Sequence, residues 1–429
     1  MRFLNIIQRY YPFRGGSERY FQAFSERFAA LGADVHVVTS DAWDLEYFWD
    51  PTAKRIEEPS DYENGVQIQR VPVRHLAAPR LTHRAIRRLM AESCRVSFPG
   101  HVSLLRAGSR FGPWLPSLDQ ELATCDRPDL VNSGNIAFES MIAAASRYAR
   151  SRDVPHIVTP FLHFGDPDDP SVRRYYTMPH QIALLRQADA LMVLTGLEAD
   201  FLSAQGIAAD RIHVVGAGID VASVTGGDGD CARARLGIDG PLVLALGAAA
   251  FDKGTVHLIQ AISRLNRTGA GIHLVIAGPV LSEIDALMRS LPSDAQRWIR
   301  LLGFVSEAER RDLLAACDLL ALPSRTESFG LVFMEAWANR KPVIGARAGA
   351  IPAVVHDGED GILVKFGDVA ALAGAIETLV RSPELRAKMG AAGFAQVIDE
   401  SVWFERVLVV YKQVLATTGR VAEFGVSAE

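Results

Sequence analysis

The segment Pro323-Ser324-Arg325-Thr326-Glu327-Ser328-Phe329-Gly330-Leu331-Val332-Phe333-Met334-Glu335-Ala336 holds two glutamates with seven residues between them. It reads as a loop after a strand, carrying Glu327, followed by the first turns of a helix, carrying Glu335. Two carboxylates so placed can accept hydrogen bonds from two separate diols of one ligand. The backbone N–H groups of Phe329, Gly330 and Leu331 fall at the start of that helix, where no intrahelical acceptor serves them and the dipole favours an anion. A sugar, a ribose and a diphosphate in one molecule would satisfy all three. A bare pair of glutamates at this spacing is usually two solvated helix-start residues, but the Pro-Ser before it and the Phe-Gly-Leu within it make the string far more specific.

Other positions have related chemistry. Lys253, in Gly247-Ala248-Ala249-Ala250-Phe251-Asp252-Lys253-Gly254, follows a strand and precedes a helix. A fixed ammonium there can stabilise charge developing on a departing diphosphate. The pair Gly15-Gly16 lies between a strand and a helix, so backbone can approach a phosphate or an acceptor with no Cβ in the way. Thr159-Pro160-Phe161-Leu162-His163-Phe164-Gly165-Asp166 follows another strand and carries His163 to its carboxyl end. The four cysteines, Cys94, Cys125, Cys231 and Cys317, are far apart, with neither zinc spacing nor the density of a disulfide framework, so no metal site is expected and a reducing cytoplasm fits.

The elements that must position these residues follow from the pattern. Short β-branched runs alternate with helical stretches through both halves, as in parallel sheets covered by helices. Strands are expected at Phe3–Ile7, Val35–Thr39, Val66–Val71, Leu130–Asn132, His156–Thr159, Ala190–Leu194 and Ile212–Val215, then at Leu242–Gly247, Ile272–Ala277, Ile299–Gly303, Leu319–Leu322, Val343–Ile344 and Ile362–Val364. The polar, glycine-rich stretch from Thr225 to Asp230 marks a boundary. The expected organisation is therefore an α/β chain of two doubly wound, Rossmann-like domains: 1–222, a linker 223–240, 241–400, and a last helix within 401–429. The 429 residues are 49% hydrophobic and 22% charged, ample for two cores. With 45 basic and 50 acidic side chains the net charge is −5, which gives no general pull toward nucleic acid. The apolar start at Met1 is too short for a signal peptide, and no apolar run approaches the ~20 residues of a membrane span.

The string from Pro323 to Ala336 resembles the donor-sugar motif of family 4 retaining glycosyltransferases, two-domain enzymes of GT-B architecture. The similarity extends to Gly15-Gly16-Ser17-Glu18-Arg19, Ala188-Asp189-Ala190, Gly303-Phe304-Val305-Ser306, Lys341-Pro342-Val343 and Asp357-Gly358-Glu359-Asp360-Gly361-Ile362-Leu363-Val364. The resemblance implies that Glu335 holds the ribose hydroxyls, that Glu327 and His163 contact the donor sugar, and that Lys253 meets the diphosphate. It also implies that Gly15 and Gly16 close over that diphosphate, and that Ser328, Phe329, Gly330 and Leu331 complete the donor site with Phe304 and Val305 near the base. The last helix would cross back to the first domain. Two positions depart from the family pattern: Ala248 stands where an arginine is usual, and Ala353 where the turn often has an acid. Arg325, Arg14 or Arg347 are candidates for the cation missing at Ala248.

Residues 80–118 carry seven arginines (80, 84, 87, 88, 95, 106 and 110) against the single acid Glu92, with Phe98, Phe111, Trp114 and Leu115 among them. Such a stretch suits either an anionic membrane or a solvated face beside an acceptor pocket. The function expected is a metal-independent hexosyl transfer from a nucleoside diphosphate sugar, with no cofactor, to the hydroxyl of a small-molecule, oligosaccharide or lipid-linked acceptor in cell-envelope polysaccharide or glycolipid synthesis. The expected place is cytoplasmic, at the inner face of the membrane, with no nucleic-acid partner. The alternative left open is a degenerate, noncatalytic relative that binds a sugar nucleotide or a partner, for which Ala248 is the chief support.

Overall fold

A computed structural model describes residues 1–13, 15–96 and 98–417. Arg14, one of the candidate cations, and the end of the expected C-terminal tail lie outside the described residues. The chain forms two compact units. One comprises Met1–Leu162, Arg173–Gly216 and the chain from Phe404 on; the other comprises His163–Val172 and Ala217–Trp403.

The first unit is built on β1 (Arg2–Ile6), β2 (Asp34–Ser40), β3 (Ser60–Glu63), β4 (Val66–Val71), β5 (Leu130–Gly134), β6 (His156–Thr159), β7 (Ala190–Val193) and β8 (Ile212–Val214). They form one eight-stranded sheet in the order β3-β4-β2-β1-β5-β6-β7-β8. Every neighbouring pair is parallel except β3 with β4. The second unit has β9 (Leu242–Leu246), β10 (His273–Ala277), β11 (Ile299–Gly303), β12 (Leu319–Leu322), β13 (Val343–Ala346) and β14 (Gly361–Val364), all parallel, in the order β11-β10-β9-β12-β13-β14. The expected doubly wound α/β architecture is present in both.

The central strands are apolar on both faces because helices cover both: every residue of β9, β10 and β12 is buried. The helix Thr255–Asn266 faces this sheet with Leu258, Ile259, Ile262 and Leu265, a stripe at helical spacing. In the first unit, the end of the helix Glu400–Thr417 packs Tyr411 against the rings of Phe3 and Phe28, and its hydroxyl accepts a hydrogen bond from buried Asn132 at 2.8 Å.

Three features differ from expectation. Strand β3 was not expected, since Ser-Asp-Tyr-Glu has no apolar alternation; it forms as an exposed antiparallel edge on β4. The stretch 223–240, expected as an open linker, contains the helix Gly229–Leu236. Asp228 caps it, its carboxylate accepting from the Cys231 N–H at 2.9 Å, and Ala232 is fully buried. The small polar residues that suggested flexibility serve as a cap and as close backbone contacts. Finally, His163–Val172 leaves the first unit and belongs to the second.

Candidate donor site

In the second unit the strand order reverses between β9 and β12, and the loops leaving their carboxyl ends flank that point. Open α/β sheets bind ligands at such a reversal. Lys253 is on the β9 loop and Glu327 on the β12 loop. The loops are tied together: Ser324 Oγ and the Arg325 N–H both donate to the Asp252 carbonyl, at 3.1 and 2.9 Å. Gly254 permits this closeness, with φ at +77° and a position where a Cβ would lie 2.2 Å from the Pro323 carbonyl oxygen. Lys253 Nζ thereby comes to 2.5 Å from Glu327 Oε1 and 3.5 Å from the Thr326 carbonyl.

His163 joins them from a remote segment. Desolvation first, and the Lys253 charge second, push its pKa down to about 3, against a hydrogen bond with the Thr326 backbone that acts the other way. The imidazole is therefore neutral at neutral pH and adds hydrogen-bonding capacity beside the ammonium–carboxylate pair without adding charge.

The helix Leu331–Ala338 starts after Gly330, which adopts a left-handed N-cap, so its first amides lie beside Ser328 and the buried Phe329. Glu335 is on the inward side of this helix, 2% exposed, and its carboxylate pairs with Arg310 of the helix Glu307–Ala316. Arg310 is the side chain that sequence reasoning missed. The capping box of Ser306 and Glu309 that starts its helix is legible as S-x-x-E, but nothing local says that the next residue faces position 335.

The remaining expected residues are distributed as follows. Ala248 follows β9 and is partly exposed; Phe304 follows β11 at 68% exposed, with Val305 half-buried. Gly15 and Gly16 belong to the first unit, at the start of the helix Gly16–Ala30. A Cβ on Gly15 would lie 2.4 Å from Glu18 Oε2, while one on Gly16 would meet nothing within 4 Å. Gly15 thus lies close against the Glu18 carboxylate, which accepts from Gln8 and Arg9 at 2.9 and 3.0 Å. Of the cations expected to replace the one absent at Ala248, Arg325 is engaged by Asp252 and Asp169 and Arg347 by Asp357.

The sequence model of the glycosyl transferases group 1 matches residues 232–396, and that of the glycosyl transferase 4-like domain matches residues 15–218. The chain belongs to the family 4 glycosyltransferases. Among relatives of this glycosyltransferase chain, D-inositol 3-phosphate glycosyltransferase 1 of Catenulispora acidiphila is 34% identical over 250 residues, which is 54% of this chain and 59% of that one. Alpha-maltose-1-phosphate synthase of Mycolicibacterium smegmatis is 29% identical over 293 residues, 61% of this chain and 74% of that one. The chain spans 59% and 53% of the length of the first curated relatives it matches. Anabaena HepE, solved in complex with UDP, superposes with a TM-score of 0.70 at 17% identity, over 96% of this chain and 100% of HepE. Sucrose-phosphate synthase from Thermosynechococcus elongatus does so with the same score and identity, over 97% and 100%. These likenesses place the fold of this glycosyltransferase chain in the GT-B architecture.

Proposed function

We propose that the chain is a retaining glycosyltransferase that moves a sugar from a nucleoside diphosphate sugar to an acceptor hydroxyl in cell-envelope polysaccharide or glycolipid synthesis. The observation that carries the reading is the convergence of Lys253, Glu327 and His163, from three separate segments, at the reversal point of the second sheet. The names of the relatives, a glycosyltransferase of inositol phosphate and a maltose-1-phosphate synthase, support transfer of a sugar. The UDP bound to HepE supports a nucleotide-linked donor.

In this reading Lys253 has three donors, so it can keep Glu327 while contacting the diphosphate, and the first-turn amides after Gly330 add to the anion site. Glu327 and His163 hold the sugar as its anomeric carbon becomes cationic, and Glu335, oriented by Arg310, holds the ribose. The bond from the anomeric carbon to the phosphate oxygen breaks, a bond to the acceptor oxygen forms on the same face, and the acceptor proton passes to the leaving phosphate. No protein carboxylate is needed as base. The second reading, a noncatalytic sugar-nucleotide binder, is favoured by one observation: Ala248 carries no cation, and Arg325 and Arg347 are engaged elsewhere.

The acceptor side of the proposal rests on the helix Pro79–Ser93. It exposes Arg80, Arg84 and Arg88 in one row at four-residue spacing and Leu81, Ala85 and Leu89 in the adjoining row, with Leu81 at 70% and Leu89 at 72% exposed. Phe98, Leu104 and Phe111 are exposed nearby in sequence, whereas Trp114 is half-buried and Arg87 is turned inward to Glu139. Adjoining apolar and basic rows fit an anionic bilayer carrying a lipid-linked acceptor.

The test is twofold. Nucleoside diphosphates should raise the melting temperature of the full chain, since a ligand held only by the folded state stabilises it. NMR of the product from a screen of donors and acceptors should show the donor's anomeric configuration kept. Nucleotide binding with no turnover on any acceptor would favour the noncatalytic reading, and an inverted product would overturn the retaining one.

A further inference from the structure

The segment 163–172 precedes the rest of the second unit in sequence, yet besides the His163 bond to the Thr326 backbone several contacts attach it there. The Gly349 N–H donates to the Gly165 carbonyl at 2.7 Å. Lys365 Nζ lies 2.7 Å from Asp168 Oδ2, and Arg325 lies 3.0 Å from Asp169 Oδ2. The lysine pair is well exposed on both sides, at 63% and 73%, and such pairs contribute little. The arginine pair is different. Arg325 is only 19% exposed; its Nε donates to Asp252 Oδ1 at 2.8 Å, and its guanidinium lies over the rings of Phe251 and Phe366, at 5.5 and 5.1 Å from their centroids. The Asp169 carboxylate is itself oriented, accepting from the Ser171 N–H and hydroxyl at 2.9 and 2.6 Å. A planar fork held by one aspartate and two aromatic rings leaves its remaining donors fixed in direction, and Asp169 meets one of them.

We propose that Arg325 is a positioning residue: it clamps the strap 163–172 through Asp169 and so keeps His163 beside Lys253 and Glu327. The role of His163 toward the sugar rests on the function proposed above, but the clamp itself does not. At the near end, the Leu162 N–H donates to the buried carboxylate of Glu198 at 2.7 Å; His163 then meets the Thr326 backbone, the Gly165 carbonyl is held by Gly349, and beyond Gly165 the strap is steadied by Asp169. Releasing Asp169 leaves the far side of His163 held by the single backbone bond at Gly165, which is then open to water, and the imidazole gains room to move away from Lys253.

Three readouts on the full chain test the clamp. In Asp169→Asn and in Arg325→Gln, NMR titration of His163 should give a pKa raised from about 3 toward the ordinary 6.5, because the ring is hydrated and distant from Lys253. Transfer by either variant should lose at least tenfold in kcat, with nucleoside diphosphate affinity kept within twofold, and the double variant should be no worse than the singles. Asp168→Asn, which touches only the exposed pair, should leave the His163 titration in place. A folded Asp169→Asn protein with an unmoved His163 pKa overturns the proposal even if no acceptor is ever found. If the titration moves as expected while His163→Ala leaves turnover intact, the clamp stands and the role of His163 at the sugar fails.

Discussion

The carboxyl edge of the six-stranded sheet and the helical region 79–118 of the first unit both concentrate charge, and they treat it in opposite ways. At the sheet edge, cations meet carboxylates from other segments: Lys253 meets Glu327, Arg310 meets Glu335, and Arg325 meets Asp169 and Asp252. In the helical region only some do. Arg87 pairs with fully buried Glu139, which also faces His180, while Arg84 and Arg88 are exposed beside Leu81 and Leu89. A paired cation in a cleft is held in direction and meets developing charge without reorganising. A row of exposed arginines suits an extended anionic surface, where each acts almost alone. What separates the two chemistries is the partner that the fold supplies.

The largest effect should come from treating Arg87 like its neighbours. Arg87→Ala leaves the Glu139 carboxylate buried without its main cation and should destabilise the protein by about 3–5 kcal/mol, as breaking a buried pair does. Arg84→Ala and Arg88→Ala should each stay within ~0.5 kcal/mol, as surface changes do. Denaturant titrations of the three proteins decide this, and equal losses would erase the distinction between the arginines.

Next come the paired charges of the donor site. Lys253→Ala should slow transfer by roughly 10²–10³-fold, the range for removing one fixed donor from developing negative charge. Glu327→Ala should lower kcat strongly while nucleoside diphosphate still binds, because the proposed contact is with the sugar and a contact that strengthens in the transition state appears in kcat. Equal losses in product binding and turnover for Glu327→Ala would refute that division of roles.

Glu335→Ala should weaken donor and free nucleoside diphosphate together by about 2–3 kcal/mol, or tens-fold, the expectation for a doubly hydrogen-bonded carboxylate. Unchanged affinity by calorimetry would reduce Glu335 to the structural partner of Arg310.

The smallest effects belong to the exposed rows. Binding to vesicles should rise with anionic lipid and fall with salt, which screens exposed charge beyond ~8 Å at physiological ionic strength. Arg84→Ala and Arg88→Ala should each cost ~1 kcal/mol of that binding. Replacing Leu81 and Leu89 by serine should weaken it at every salt concentration. Indifference of the intact protein to anionic vesicles at low salt would transfer the acceptor proposal to a soluble molecule.

Much of this was legible beforehand, and the exceptions are instructive. The strands at Val66–Val71, His156–Thr159, Ile299–Gly303 and Leu319–Leu322 have the bounds that their apolar runs predict. Edge strand β3 and the helix Gly229–Leu236 escaped because one is held by its neighbour's backbone and the other by a side-chain cap and packing. Of the site, the loops and their residue types were readable, but Arg310, Asp169 and Asp252 were not.

Local rules explain that division. Periodicity, turn residues and the strand–loop–helix context of Lys253 and Glu327 operate over a few residues, so the chain alone determines two doubly wound sheets and which side chains their carboxyl ends carry. Partners do not follow from such rules. Glu327 lies 74 residues from Lys253, Glu335 is 25 from Arg310, and Arg325 is 156 from Asp169. Only the folded arrangement decides which cations are engaged, because the energy of a charge depends on what stands within a few ångströms and on how much water is excluded, and both are set by packing.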